Sequence, residues 1–339
     1  MKFSFLSDNT APVHPQVMQA LEKANADFAL SYGYDSHTLA AEKKFNEIFD
    51  SQVSVFFVNN GTSANVLSLQ ACILPHQAIV ASESAHIHTD ECGAPERYLG
   101  SKIVAVPHQN GKIQLDGLSN AMIGKGFEHH VQPAVISLTQ NTEYGTVYSV
   151  NEIAAIGEFA RANGCYFHVD GARLSNAAEA LNISLNEMLV KTGVDVVSFG
   201  GTKNGLMQGE AVVFINQKLA KHFLYQRKQA MQLSSKMRYL SAQWLAFFEN
   251  DLWLSNARQA NAMANKLAVE LGKVADVEIT RPTQANAVFA NIPKGKAEQL
   301  MIQFPFYCWD EQANEYRLMC SWNTQNSHID EFIAALKSL

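Results

Sequence analysis

Paired cysteines are missing from this sequence. Its five cysteines (Cys72, Cys92, Cys165, Cys308 and Cys320) form no C-x-x-C pair, and an odd number excludes a disulfide framework that uses all of them. Reduced thiols are typical of the cytoplasm, so we expect a cytoplasmic location. No metal site is expected.

Long apolar runs are also missing. No window approaches the roughly 18 apolar residues of a transmembrane helix. The first residues, MKFSFLSDNTAP, lack the apolar stretch of a signal peptide. The chain contains no internal repeat and no low-complexity segment. We therefore expect a protein without a membrane partner.

Positive charge is scarce: 26 lysines and arginines stand against 32 acidic residues, which gives a net charge of -6. Because nucleic-acid binding requires a basic surface, this balance disfavours a nucleic-acid partner. Hydrophobic residues make up 47% and charged residues 17% of the 339 residues, as in a globular protein with a real core. The length suits two domains.

Short apolar runs alternate with helical periodicity along the first 215 residues. The strands are predicted at 53–58, 78–82, 102–107, 133–139, 165–170, 195–201 and 211–215. The helices between and before them are predicted at 14–25, 36–49, 62–74, 150–163 and 185–192. Such alternation predicts an α/β fold with a mainly parallel sheet that helices cover on both faces. Ligands in such folds bind at the carboxyl ends of the strands.

The rest of the chain has a different pattern. A long, interrupted helical region runs from 217 to 271, where Gly272 is a plausible C-terminal cap. The segments VEITRP, AVFANI and YRLMCSW then predict strands of a smaller α+β domain. We place the boundary near 245, with a large domain and its N-terminal arm over 1–245 and a small domain over 246–339.

Polar residues cluster at the ends of four predicted strands. Asp170 closes one strand, Lys203 follows another, Gly61 and Thr62 open the helix after a third, and His86 follows a fourth. Each residue alone has a commoner structural role, such as a solvated lysine or a helix cap. Together they match what pyridoxal phosphate (PLP) needs: a lysine for a Schiff base, an acid at the ring nitrogen, helix amides for the phosphate and a ring over the pyridine.

Longer motifs carry a family resemblance. HVDGAR (168–173) followed by SFGGTKNG (198–205) resembles the low-specificity L-threonine aldolases, fold-type-I PLP enzymes that are grouped with the β-eliminating lyases. The similarity extends through SDNTAP (7–12), YGYD (32–35), NNGTSAN (59–65), SAHIH (84–88) and YRLMCSWNT (316–324). It implies a PLP-dependent transferase-like fold of the aspartate aminotransferase type. A seven-stranded, mainly parallel sheet then lies in the large domain.

The resemblance also implies roles around the cofactor. Lys203 is the lysine that binds PLP, and Asp170 is the partner of the pyridine nitrogen. His86 stacks on the ring and is a candidate acceptor of the substrate's hydroxyl proton. The remaining residues of the implied cofactor-binding set are Gly61, Thr62, Thr202, Arg173 and Arg238.

A second implied set contacts the amino-acid substrate. Its carboxylate is expected to meet Ser7, Arg173 and Arg317. His129, or its neighbour His130, matches a second catalytic histidine beside the substrate hydroxyl.

Two basic residues point to a neighbouring subunit: Lys228 and Arg238 match a pair that reaches the neighbour's site. Lys228 and Tyr32 of the YGYD motif complete the implied substrate-binding set. We therefore expect a homo-oligomer, a dimer or a tetramer, with its active site at the subunit interface. An N-terminal arm ordered by the neighbour fits this expectation.

The implied reaction is retro-aldol cleavage of L-threonine, L-allo-threonine or a relative such as phenylserine to glycine and an aldehyde. The sequence departs from the family in QNTEYG (140–145), where Glu143 replaces a histidine. The alternatives are a PLP-dependent β-eliminating lyase, an aminotransferase, and an inactive PLP-fold binding protein.

Overall fold

Two large β-sheets, a two-stranded sheet of β4 and β5, and the surrounding helices make up the computed structural model, which describes residues 3–339. The strands are β1 (Ser54–Val58), β2 (Gln77–Ser82), β3 (Lys102–Val106), β4 (His108–Gln109), β5 (Lys112–Ile113), β6 (Gln132–Thr139), β7 (Tyr166–Gly171), β8 (Val196–Gly200), β9 (Glu210–Phe214), β10 (Glu278–Ile279), β11 (Ala287–Asn291), β12 (Tyr307–Asp310) and β13 (Glu315–Met319).

The α-helices are α1 (Pro15–Ala24), α2 (Ser36–Phe49), α3 (Gly61–Gln70), α4 (His86–Thr89), α5 (Ala94–Leu99), α6 (Leu115–Ala121), α7 (Val150–Ala162), α8 (Leu174–Leu181), α9 (Phe223–Gln229), α10 (Arg238–Phe248), α11 (Leu252–Leu271), α12 (Lys294–Gln303) and α13 (Asn326–Ser338). Four 3₁₀ segments lie at Asp8–Thr10, Thr202–Asn204, Gln217–His222 and Glu249–Asp251, and a π-helical turn lies at Asn186–Val190.

The larger sheet has seven strands in the order β1-β9-β8-β7-β6-β2-β3. Its pairings are parallel from β3 to β8, and only β9 runs antiparallel to its two neighbours. The predicted mainly parallel, seven-stranded sheet is therefore confirmed. All seven strands lie within one or two residues of their predicted positions. None of the helices within residues 3–339 is long and apolar enough to cross a membrane.

Helix ends follow from local side-chain chemistry. Asp35 caps α2 by accepting the backbone N–H of Thr38, and Ser149 and Glu152 form a reciprocal capping box at the start of α7. The long helical region divides where Asn250 and Asp251 adopt left-handed backbone angles, which separates α10 from α11.

An aromatic cluster packs beneath the end of β8. The Phe199 ring lies 6.0 Å from Phe45, 5.3 Å from Trp244 and 6.1 Å from Phe248, between ring centres. All four side chains are almost fully buried. Truncating such an aromatic side chain typically costs about 3–5 kcal/mol, so this packing holds the strand end firmly.

The C-terminal sheet is antiparallel, in the order β10-β11-β13-β12. Three of its strands are predicted, whereas β12 is missed because the run PFYCWD has no clear alternation. Phe5 of the N-terminal arm is fully buried in the core under this sheet. Its N–H and C=O bond to Pro305 and Met319, so contacts within the chain help to order the arm. The expected ordering by a neighbour stays a prediction. The boundary near 245 stays a prediction.

Candidate active site

A cavity of about 270 Å³ opens at the carboxyl ends of β7 and β8, beside the start of α3. Helix α3 packs against β8 and β9, which places its first turn near the carboxyl ends of β7 and β8. The cavity lining includes six of the residues singled out in the sequence: Gly61, Thr62, His86, Asp170, Thr202 and Lys203. The fold thus brings together residues from four separate stretches of the chain.

The first turn of α3 supplies backbone donors to the cavity. Asn60 caps the helix by accepting the N–H of Ser63, and the Ala64 N–H bonds to the Asn60 carbonyl. The amides of Gly61 and Thr62 precede these bonds and point out of the helix, where its dipole favours an anion. A Cβ at Gly61 would meet open space within 4 Å, which leaves the amides accessible.

Asp170 presents a buried carboxylate at the end of β7, with 4% of the residue exposed. Its Oδ1 accepts the Ala172 N–H at 3.0 Å, and its Oδ2 accepts an N–H of the Asn65 amide at 2.8 Å. These bonds fix the orientation of the carboxylate at the cavity wall. A cationic ring nitrogen is the kind of partner that such a group would hold protonated.

Lys203 lies one residue after Thr202 in the short 3₁₀ segment that follows β8. Burial, together with the nearby Arg173 charge, holds the pKa of its amine below the ordinary value. The close strand ends require glycine at position 200, because a Cβ there would lie 2.5 Å from the Ala172 carbonyl oxygen. The SFGG motif therefore has a steric origin.

His86 begins α4, and its side chain is 40% exposed at the cavity. Its Nδ1 lies 3.0 Å from Oε1 of the buried Glu91. The hydrogen bond to Glu91 raises the pKa of His86, burial lowers it, and the charge of Asp170 raises it. As a result, the pKa of His86 lies above the ordinary value for histidine.

Arg173 lies beside the cavity, but part of its guanidinium is already used. Its Nε and Nη2 donate to the two carboxylate oxygens of Asp8 at 2.7 and 2.9 Å. Asn286 donates to the same carboxylate at 3.0 Å. A bidentate grip on a substrate through this edge is therefore blocked, and Nη1 remains for other contacts. Ser7, next to Asp8, accepts the backbone N–H of Asn9.

Arg317 on β13 makes no ion pair with a described residue. Its guanidinium carbon lies 5.2 Å from the ring centres of both Tyr307 and Trp309. Burial, with the nearby charge of Arg173, lowers the pKa of Arg317 to about 10. Two neighbouring arginines, one of them without an anion, make a receptor for a carboxylate.

Seven predicted residues do not line this cavity: Ser7, Arg173 and Arg317, described above, and His129, Tyr32, Lys228 and Arg238. His129 is on an exposed loop, with its side chain 71% exposed and beside Glu128. The Lys228 amine lies 5.1 Å above the Tyr32 ring, and Arg238 donates to the Asp27 carbonyl. Their predicted roles stay predictions.

Three polar residues of the site were missed in the sequence. Asn65 and Glu210 line the cavity, and Glu91 bonds to Asn65 and His86 just behind it. Asn65 follows Gly61 by four residues, so one helix face presents both, and this spacing could have revealed it. No local pattern marks Glu91 or Glu210.

Glu143, which the resemblance predicts at the position of a histidine, lies behind His86. One oxygen accepts the His86 backbone N–H at 2.9 Å and the Thr139 hydroxyl at 2.7 Å. Burial raises the pKa of this carboxyl, and its other oxygen has no partner among the described residues. Glu143 thus helps to hold the start of α4, where an acidic group is favourable.

The residues present fit PLP. The amides of α3 suit its phosphate, Asp170 suits its ring nitrogen, and the Lys203 amine, depressed in basicity, suits covalent attachment to its aldehyde. His86 is placed at the open side of the same cavity, where a ring can cover the pyridine.

Fold and cavity together define a PLP-dependent enzyme of fold type I. The family described as Beta-eliminating lyase matches residues 4–294. The chain is 38% identical over 337 residues to the low specificity L-threonine aldolase of Pseudomonas sp. (strain NCIMB 10558), covering 99% of this chain and 97% of that relative. It is 40% identical over 329 residues to the enzyme of the same name from Pseudomonas aeruginosa, covering 96% and 95%. The chain therefore belongs to the β-eliminating lyase family, among its low-specificity L-threonine aldolases.

A solved structure agrees with this placement. A threonine aldolase from Leishmania major superimposes with a TM-score of 0.94 and 27% identity, covering 99% of each chain. The predicted fold class is confirmed over the whole length.

Proposed function

We propose that this chain is a PLP-dependent aldolase that cleaves L-threonine, L-allo-threonine or a related β-hydroxy-α-amino acid to glycine and an aldehyde. The observation that carries the proposal is one cavity in which Lys203, Asp170 and His86 meet, with the unpaired cation of Arg317 nearby. Cleavage between Cα and Cβ requires these parts: a covalent anchor, an electron-accepting ring, and a base at the β-hydroxyl.

Binding and orientation come from the arginines. The substrate carboxylate pairs with Arg317 and with the free Nη1 of Arg173, while Asp8 holds the other edge of Arg173 in place. Ser7 is a further candidate contact next to Asp8. When bound, PLP supplies an electron sink for the bond that breaks at Cα.

Proton transfer is assigned to His86. Because its Nδ1 faces the Glu91 carboxylate, which can only accept, the neutral ring carries its proton on Nδ1 and leaves Nε2 free. Nε2 takes the proton of the β-hydroxyl as the aldehyde leaves. In a second route, a water held by His129 takes this proton. That route requires the exposed loop that carries His129 to approach the cavity.

Product analysis separates this proposal from β-elimination. L-Threonine, L-allo-threonine and phenylserine should each release glycine and an aldehyde in equal amounts, and serine should release little pyruvate. A Lys203→Ala variant is the negative control, and Lys218→Ala, at an exposed lysine, is the matched positive control. Pyruvate as the main product, without aldehyde, would favour β-elimination.

An inactive PLP-binding protein is the remaining alternative. The holoprotein should absorb near the visible edge, and glycine or threonine should change that absorbance. A bound cofactor whose spectrum ignores both amino acids, with no aldehyde release, would favour this alternative.

We propose further that the enzyme works as a homo-oligomer, at least a dimer and in our reading a tetramer, with each site completed by a second chain. Exposed apolar side chains on two segments support this: Phe28, Leu30 and Tyr34 on one, and Tyr225 and Met231 on the other, are each at least 70% exposed. Large exposed apolar patches mark interaction surfaces. The 28–34 segment bonds to Ser235, so the surface adjoins Lys228 and Arg238.

Light scattering at working concentration tests this assembly. A dimer or tetramer is expected, and replacing Tyr225 by Asp should weaken it together with activity. A fully active monomer would overturn the shared-site proposal.

We propose a cytoplasmic location because all five cysteines are free thiols, two of them partly or fully exposed. Fractionation of cells that express the chain tests this proposal.

A further inference from the structure

Glu91 lies just behind the cavity and is cut off from solvent. It follows α4 in the turn before α5, and none of its side chain is exposed. Its Oε1 accepts an N–H of Asn65 at 2.9 Å and faces His86 Nδ1 at 3.0 Å. Its Oε2 has no hydrogen-bond partner among the described residues. A carboxylate is costly to bury unless it serves the groups that bind it.

Asn65 connects this carboxylate to a second one. The same amide nitrogen donates to Glu91 at 2.9 Å and to Asp170 Oδ2 at 2.8 Å. If the Asn65 amide were flipped, its oxygen would face two carboxylates, and two acceptors cannot form a hydrogen bond. Only the orientation with the nitrogen toward both carboxylates therefore satisfies the contacts. A continuous hydrogen-bonded path therefore runs from His86 through Glu91 and Asn65 to Asp170.

We propose that Glu91 is a positioning residue that fixes the Nδ1–H tautomer and the ring plane of His86 and, through Asn65, links that histidine to Asp170. It touches neither cofactor nor substrate in this role. It acts by leaving His86 Nε2 as the acceptor at the open side of the cavity. The inference rests on the proposed function only in one respect, that the proton accepted by Nε2 comes from the substrate's hydroxyl. The tautomer of His86 follows from the geometry alone.

Other charged groups also act on the His86 ring. The hydrogen bond to Glu91 has the largest effect and raises the pKa of His86. Asp170 at the end of β7 also raises it, and Lys203 after β8 lowers it. Glu143, after β6, bonds to the backbone of His86. Removing the Glu91 charge should therefore lower the pKa of His86 most.

The first test uses the cofactor-free protein and does not depend on activity. Nuclear magnetic resonance of histidine-labelled protein, assigned with His86→Gln, reports the tautomer and the pKa of His86. The wild type should show the Nδ1–H tautomer when neutral. Glu91→Gln should lower the pKa, whereas Glu96→Gln should not. Glu96 is the matched control because it lies on the adjacent α5 and also has a buried, unpaired oxygen.

An Nε2–H tautomer in the wild type would overturn the proposal without any variant. An unchanged His86 pKa in Glu91→Gln would overturn it as well. An Nε2–H tautomer would also remove Nε2 as the acceptor of the hydroxyl proton. Neither result bears on whether the chain cleaves β-hydroxy-α-amino acids, which product analysis tests separately.

The second test follows aldehyde release by the holoenzyme against pH. Activity requires neutral Nε2, so it falls as the pH drops through the pKa of His86. Glu91→Gln should move this acid limb to lower pH and reduce the plateau at least about tenfold, part of the 10²–10⁴ that general base catalysis typically supplies. A reduced plateau with an unmoved limb would make Glu91 merely structural and would overturn the proposal.

Discussion

Glu210 is a buried carboxyl at the start of β9 whose ionisation should destabilise the protein. The residue is 7% exposed, and its Oε2 accepts the Gly201 N–H at 2.7 Å. Burial raises its pKa from 4.5 to about 7, although hydrogen bonds from Thr202 and Gly201 oppose the rise. Replacing it by glutamine keeps an acceptor for these donors and removes the charge.

The size of the effect follows from the pKa. Each pKa unit corresponds to about 1.4 kcal/mol, so a rise from 4.5 to about 7 costs the folded state about 3 kcal/mol at most. Because the pKa of Glu210 is raised in the folded state, its ionisation lowers the free energy of unfolding as the pH rises. This destabilisation is absent below pH 4.5, grows between pH 4.5 and 7, and is complete above pH 7. With an unfolding entropy of about 2.1 cal/mol/K per residue, this free-energy cost lowers the melting temperature of the 339-residue chain by about 4 °C.

Scanning calorimetry of the cofactor-free protein measures this difference. Glu210→Gln and wild type should melt together near pH 4.5, and the variant should melt higher by up to about 4 °C at pH 8. Glu158→Gln, at an exposed glutamate, should show no such trend. A difference that is constant with pH, or that shrinks as the pH rises, would refute the reasoning.

Three substitutions test the roles assigned around the cavity. Lys203→Ala should abolish aldehyde release and the cofactor absorbance without changing the circular dichroism; near-normal activity would contradict its assignment. Asp170→Asn should reduce turnover by several orders of magnitude, as with other lost charge partners, and a loss under about tenfold, or 1.4 kcal/mol, would argue against it. Arg317→Leu should raise KM for the amino acid at least about tenfold; an unchanged KM would remove Arg317 from the carboxylate site.

Most of the fold could be predicted because its strands are short, apolar and bounded by polar turns. Strands such as β2 and β9 are buried on both faces, so apolar residues dominate their sequences. The β12 strand lies at the sheet edge and is only partly buried, and its apolar residues do not alternate with polar ones. The π-helical turn at Asn186–Val190 lies within a predicted helix, and nothing in the residue pattern distinguishes the two.

The residues of the site also divide into those that the sequence predicts and those that it does not. Lys203 and Asp170 could be found because strand ends converge at one edge of a parallel sheet. The pairing of Asp8 with Arg173 spans 165 residues, and that of Glu91 with Asn65 spans 26. Such contacts depend on tertiary packing, so no local spacing indicates them. The Lys228 and Arg238 assignments concern a second chain, which a single sequence describes only by resemblance.

We expect the cavity between β7, β8 and α3 to hold PLP on Lys203. Borohydride reduction of the holoenzyme, followed by peptide mapping with mass spectrometry, tests this placement, because reduction makes the lysine–cofactor bond permanent. One pyridoxyl group per chain is expected, on the peptide that contains Lys203. A label on a different lysine, or one spread over several surface lysines, would contradict it.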